Sequence, residues 1–402
     1  MTGTLPDVNR DYDAALGAFT AWYVHEAPRL RSPRDLVRQT CLRFVAHGVP
    51  LQRFTAFMLM LHPDYFGTAH RWWRGREKVK TSFGSHDIWN TALLKDSPNA
   101  VIHQGAAAIR RRLAGPHAWL DFPVLSEYVE EGSTDYVCMH LPFSDGSRCA
   151  IAFATDRPAG FTLAELKLVD AMLPHMARQS ELLTLRFLTT TLLDIYVGRQ
   201  SGDRVLTGQI RRGSGETIRA VIWLSDLRGF TGLSDRLPRG ALIALLNGYF
   251  DCVGAAIDAA GGEILKFIGD AVLAIFPLAG GADLAATGRA ALAAATKARA
   301  GLDELRKLPG GEALDFGTAL HVGDVLYGNI GTAKRLDFTV IGPAVNLTAR
   351  LESLAAALGQ PILVSADIAR AIGDGVESVG RHRVKGMAEP VEAFRPAPGA
   401  SA

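Results

Sequence analysis

The chain has 402 residues, of which 48% are hydrophobic and 21% charged, which excludes a disordered polymer and allows two or three domains. Forty-three lysines and arginines against 41 acids leave a net charge of +2, too even for a general attraction to nucleic acid or acidic membrane. Any phosphate chemistry must therefore come from a local site.

The N-terminal stretch MTGTLPDVNRDYDAALGAF has early acids and no basic segment before an apolar core, so it does not read as a signal peptide. Pro33 to Val45 carries apolar residues at helical spacing, and Phe54 to Leu61 reads as a short buried strand or helix turn. Tyr136–Phe143 and Arg148–Ala154 predict two strands around the turn Ser144-Asp145-Gly146-Ser147. His62, His70 and His140 stand near Trp72 and Trp73, but their scattered spacing does not define a haem or metal site. Cys41, Cys138, Cys149 and Cys252 also lack metal-ligand spacing and are too few for a disulfide framework, so a reducing, cytoplasmic setting is expected.

A long helix follows. Thr162 and Glu165 form a capping box, Phe161 can staple onto Leu166, and apolar residues recur to about Ile195, past an expected kink at Pro174. A helix this long suggests pairing with a second copy or packing along its own domain. Gly198–Glu216, rich in glycine and arginine, is read as the linker that holds the domain boundary.

The second half opens with the strand Ala220–Leu224, running into Ser225-Asp226 and the loop LRGFTGLSD. A helix with one apolar stripe from 242 to 257 ends at Gly261-Gly262; Asn247, Asp251 and Asp258 make the stretch Gly240–Gly262 too polar for a membrane span. Ile264–Ile268 and Ala271–Phe276 flank the two-residue turn Gly269-Asp270, a hairpin. An Ala-rich helix over Ala282–Lys307, strands at Ala313–Val322, Val325–Ile330 and Phe338–Ile341, and a helix over Pro343–Leu358 complete a βαββαβ order.

That order brings Asp226 and Asp270 to one sheet edge, where two carboxylates suit a hard cation of the Mg²⁺ type. The backbone amides of Leu227, Arg228, Gly229, Phe230 and Thr231 follow directly and can face phosphate oxygens. Asn346 and Arg350 share a helix face at i, i+4; Lys266 and Thr339 sit inside apolar strands; Lys385 reads as an edge-strand charge. Singly, each is compatible with turn chemistry, strand propensity or surface charge.

Together, SDLRGFT, KFIGD, DFTVIG, VNLTARLE and VKG, in this order, resemble the catalytic domain of class III nucleotidyl cyclases. The resemblance implies an α+β, ferredoxin-like catalytic domain over 217–396. It implies that Asp226 and Asp270 hold two Mg²⁺ or Mn²⁺ ions, that Lys266 and Thr339 read the purine, that Asn346 and Arg350 orient the ribose and stabilise the transition state, and that Lys385 holds phosphates. It further implies a head-to-tail homodimer whose sites take metal ligands from one subunit and the other five residues from its partner.

Lys266 donating to adenine N1 and Thr339 accepting from N6 favour ATP, and Thr339 resembles the class IIIb branch. Asp337 is a neighbour on the same strand face, and Asp324 stands where some relatives have arginine. The sheet order also resembles diguanylate cyclases, but Ile264-Leu265 replaces the required acid and aromatic after Gly261-Gly262-Glu263. The expected activity is an adenylate cyclase; a guanylate cyclase or a non-catalytic nucleotide-binding regulatory protein is the alternative.

The remaining parts are an extension over 1–30, a region over 31–161 that resembles a GAF-like sensor and is expected to take a small-molecule or protein regulator, a signalling helix and linker over 162–216, and a tail over 397–402. No nucleic acid and no membrane span are expected.

Overall fold

The computed structural model describes residues 8–60 and 62–398, so Leu61 and the outermost residues of the N-terminal extension and C-terminal tail lie outside the described residues. The chain forms two compact units, Met1–Leu192 and Leu193–Ala402.

The first unit is built on a six-stranded antiparallel sheet. Its strands are β1 (Arg53–Leu59), β2 (Gly67–Trp73), β3 (Lys80–Gly84), β4 (Ala108–Arg112), β5 (Asp135–Pro142) and β6 (Arg148–Thr155), in the order β3-β2-β1-β6-β5-β4. Strand alternation sends Phe54, Ala56 and Met58 to one face. There they bury against α1 (Val8–His25), α2 (Pro33–Ala46) and the first turns of α6 (Leu163–Val197), through Phe19, Phe44, Val169 and Met172. The other face carries Tyr136, Cys138 and Ala152 and packs against Ile102 of α4 (Pro98–His103) and Tyr128 of α5 (Leu125–Glu130); a single turn, α3 (Ala92–Lys95), precedes α4.

The capping box forms at the head of α6. The Thr162 amide donates to Glu165 Oε2 at 2.7 Å, and the Glu165 amide donates to Thr162 Oγ1 at 3.3 Å. Strands β2, β3 and β4 and helix α1 have no counterpart among the elements read from the sequence: exposed residues interrupt the pattern of β3, β4 and α1, and β2 buries polar Thr68 and His70.

The second unit holds β7 (Gly215–Leu227), β8 (Glu263–Ile268), β9 (Ala271–Pro277), β10 (Phe316–Gly331), β11 (Leu336–Ile341), β12 (Ile362–Ser365), β13 (Val376–His382) and β14 (Val391–Pro396). The order is β13-β14-β12-β10-β7-β9-β8, with β11 paired to β10. The run β10-β7-β9-β8 is antiparallel throughout and is the ferredoxin-like core.

One sheet face buries α9 (Arg239–Ala259) and α10 (Leu284–Ala300) through Leu245, Tyr249, Val253, Ala291 and Ala295. Gly301 separates α10 from the short α11 (Leu302–Leu305), so the predicted Ala-rich helix is two. By length and apolar composition α9 is sufficient to cross a bilayer, the one such helix among the described residues. Here its apolar stripe is used against the sheet.

Two further expectations change in this unit. The strands predicted on either side of Gly323-Asp324 are one strand, because β7 supplies an unbroken partner from Leu227 to Gly215. The predicted linker is ordered: it contains α7 (Arg199–Leu206) and the start of β7. Glu263, buried in the sheet, accepts from the Ser201 amide at 3.1 Å, Ser201 Oγ at 2.9 Å and Tyr327 OH at 2.8 Å. That binding of α7 to the sheet is a use for Glu263 that the sequence did not announce.

Gly262 lets α9 fold back onto β9. A Cβ there would lie 2.6 Å from Ile257 Cγ2 and 2.8 Å from the Phe276 ring. Gly262→Ala is therefore expected to destabilise the chain by about 1–3 kcal/mol through overpacking, read as a lower urea midpoint at unchanged slope; an unchanged midpoint would refute the packing account.

Candidate functional site

Asp226 is the next-to-last residue of β7. The β7–β9 register pairs Ser225 with Val272, so the Gly269-Asp270 turn of the β8–β9 hairpin lies just beyond, beside Asp226. Gly269 supplies the positive φ of 65° that this two-residue turn needs. Beneath them Ser225 is fully buried and accepts from Trp223 Nε1 at 3.0 Å and Tyr249 OH at 2.9 Å, which fixes the end of the strand.

The two carboxylates are in contact. Burial, then the hydrogen bond and repulsion from Asp270, push the Asp226 carboxyl up to about 7, and Glu352 adds to the repulsion. Glu352, on α12 (Pro343–Ala357), is also raised, mainly by burial, with Arg228 opposing and Asp270 reinforcing. Its place beside the pair is a feature the sequence analysis missed. Spaced i, i+4 and i, i+1 from Thr348 and Leu351, it lies on the buried side of α12, a signal that was available.

Gly317 faces Asp226 across the β7–β10 ladder, and a Cβ there would come within 3.2 Å of Glu352 Oε1 and 3.5 Å of Arg228 Nη2. Among the described residues, no three or more His, Cys, Asp or Glu side chains are arranged to hold a metal. A two-carboxylate site of the Mg²⁺ type completes its shell with water and substrate phosphates, so the donor set fits such an ion.

The loop after Asp226 is only partly available. The Leu227 side chain is buried and its amide serves the Asp226 carboxylate. The Arg228 amide donates to Asp315 O at 2.8 Å, and its guanidinium turns inward to Asp315 and the Gln360 carbonyl. Gly229, with φ 69°, then starts α8 (Phe230–Arg236), so the amides of Gly229, Phe230 and Thr231 are those without helical partners.

Lys266 lies on β8, half-buried, with Nζ 3.8 Å from Asp337 Oδ2 on β11. Asp337 is therefore an ion-pair partner of Lys266 as well as a neighbour on the strand. Two residues along the same face, Thr339 is buried and its Oγ1 has no hydrogen-bond partner. Asp324 is exposed and pairs with Arg219 at 3.6 Å.

Asn346 is exposed near the start of α12 and Arg350 half-buried one turn on. Lys385 is not on a strand: it is exposed in the turn joining β13 to β14. The next residue, Gly386, has φ 75°, and a Cβ there would lie 3.0 Å from Arg350 Nη2, so the turn that carries Lys385 closes onto the Arg350 guanidinium at Gly386. Arg350 is not paired with Glu352, which faces the aspartates instead.

His70 is a satisfied core histidine, held by Thr68 at 3.2 Å and Thr81 at 2.9 Å and pushed down to about 4 by burial.

Residues 215–394 match the family model of the adenylate and guanylate cyclase catalytic domain. Among curated relatives, an adenylate cyclase of Anabaena cylindrica is 36% identical over 168 residues, covering 40% of this chain and 32% of that protein. The terminal-differentiation-specific adenylate cyclase of Dictyostelium discoideum is 32% identical over 181 residues, covering 43% of this chain and 8% of that protein. The chain thus spans a third or less of the length of these two relatives. Among solved structures, the adenylyl cyclase CyaB from P. aeruginosa is 29% identical with a TM-score of 0.41, covering 46% of this chain and 96% of that one.

The raised Asp226 fixes the sign of a pH effect. Folding moves its pKa from 3.8 to about 7, so the folded state binds more protons, and this contribution to stability is lost as pH rises through that window. In chelator-containing buffer, Asp226→Asn is expected to melt increasingly above the unaltered protein as pH rises from about 4 to about 7. A gap that stays constant across the range would contradict the shared carboxylate environment.

Proposed function

We propose that this chain, whose residues 215–394 match the adenylate and guanylate cyclase catalytic domain, converts ATP to 3′,5′-cyclic AMP and pyrophosphate. What supports the reading most is the meeting of Asp226 with Asp270, two carboxylates whose repulsion brings no gain to the fold. When bound there, two Mg²⁺ or Mn²⁺ ions supply the chemistry of lowering the 3′-hydroxyl pKa and neutralising the triphosphate.

The chain's own residues divide the remaining work. The amides of Gly229, Phe230 and Thr231 face phosphate oxygens at the head of α8. Arg350 presents a planar fork of donors to the charge that develops on the α-phosphoryl oxygens, with Lys385, in the turn that closes onto it, for the outer phosphates. Asn346, on the same helix face, orients the ribose.

Thr339 Oγ1, buried and unpartnered, is an acceptor for adenine N6–H, and Lys266 is a donor to N1. Guanine reverses both polarities. The Asp337 carboxylate beside Lys266 makes GTP the competitor to test, since an acid can accept from guanine N1–H.

A second copy of the chain completes each site in this reading. Apolar side chains near Lys266 and Thr339 are left exposed for such a partner: Phe267, Ile268, Leu336 and Ile341. The N-terminal unit, with helices on both faces of its sheet, serves as a GAF-like regulatory part. Free cysteines at all four positions suit a cytoplasmic location.

Purified protein with Mn²⁺ or Mg²⁺ is expected to form cyclic AMP from ATP in preference to cyclic GMP from GTP; no cyclic nucleotide under either metal removes the enzyme reading. Arg350→Ala is expected to lower kcat by about 10²–10³-fold. Mixing it with inactive Asp226→Ala should recover part of the activity through one intact composite site, and continued inactivity of proven mixed dimers would rule out shared sites.

A further inference from the structure

The first unit contains a cavity of about 230 Å³ on the sheet face away from α1 and α2, walled by Phe57, Phe83, Tyr128 and Tyr136. An apolar cavity of about 150 Å³ already holds benzene, so this one accommodates an aromatic ring with a short arm.

Its charges do not balance. Three arginines, Arg53, Arg71 and Arg148, line it against one glutamate, Glu127. Arg53 is compensated: it pairs with Glu127 at 3.5 Å and Glu131 at 3.2 Å and lies 4.0 Å over the Tyr128 ring. Arg148 donates to the carbonyls of Ile102 and Ala106, which fixes it in the wall.

Arg71 is different. Strand β2 places it opposite Thr55 of β1, on the cavity face, and the one hydrogen bond of its guanidinium among the described residues runs from Nη1 to Ser82 Oγ at 2.6 Å. It has no ion pair among the described residues, so Nε and Nη2 are left as an open fork. Burial and then the neighbouring Arg53 push its pKa down, and Tyr128 and Glu127 oppose them only in part.

The geometry points to a binding site for a small aromatic carboxylate, its ring among Phe57, Tyr128 and Tyr136 and its carboxylate on the Arg71 fork. A planar guanidinium matches a carboxylate with two parallel N–H···O bonds, and the buried Tyr128 and Tyr136 rings beside it strengthen that contact relative to water. A phosphate would demand donors for three oxygens, and Arg53 and Arg148 are already engaged. The proposal concerns the N-terminal unit alone and does not rest on the cyclase reading.

The test is isothermal calorimetry on the full chain with phenylacetate, its neutral isostere phenylacetamide, and inorganic phosphate. Phenylacetate is expected to bind at least about tenfold more tightly than phenylacetamide, with phosphate giving no saturable heat. Arg71→Gln should lose about tenfold or more in phenylacetate affinity and leave phenylacetamide unchanged. Equal affinity for acid and amide, or no binding of phenylacetate, overturns the proposal, as does tighter binding of phosphate. If Arg71→Gln fails to fold by circular dichroism, the acid–amide comparison on the unaltered chain decides alone.

Discussion

Asp226 and Asp270 are held together by strand register, against their own repulsion. The ladder between β7 and β9 sets Ser225 opposite Val272, and a two-residue turn leaves Asp270 no other place than beside the end of β7. The strand end cannot yield easily, because Ser225 is clamped from below by Trp223 and Tyr249. The sheet therefore supplies the energy that keeps two like charges in contact, and burial raises the demand for a cation among them.

The surroundings of that pair follow from the same constraint. With glycine at 317, the strand opposite Asp226 leaves space that Glu352 and Arg228 fill from the side. Arg228 thereby becomes an internal tie between the loop after β7 and the turn after α12, and partly offsets the third carboxylate. A residue that reads as a phosphate ligand in the linear sequence is consumed by the electrostatics of the acids next to it. Likewise, the freedom of Gly386 to adopt positive φ, with no side chain, is what lets the β13–β14 turn approach Arg350.

The N-terminal unit uses its sheet differently. One face is a conventional apolar core; the other combines aromatic walls with arginines that no equal number of acids compensates. Of these arginines Arg53 is ion-paired and Arg148 is tied to two carbonyls, while half-buried Arg71 has no ion pair among the described residues; a half-desolvated cation without a counter-charge is unfavourable for stability alone.

Local patterns determined much by themselves. The capping box at Thr162 and Glu165, the Gly269-Asp270 hairpin and the apolar stripe of α9 each depend on a few neighbouring residues, and each forms as read. The βαββαβ order, and with it the approach of Asp226 to Asp270, followed from element order alone. Tertiary structure decided the rest. The linker became α7 because Glu263, 62 residues away from Ser201, accepts its hydrogen bonds. Lys385 left the strand because the β13–β14 register ends at His382. Arg228 turned inward, and Asp337 paired with Lys266, through contacts between strands and loops remote in sequence. Periodicity records which side of an element is buried; it carries no information on which distant charge will stand opposite, since that is fixed only when the sheet closes.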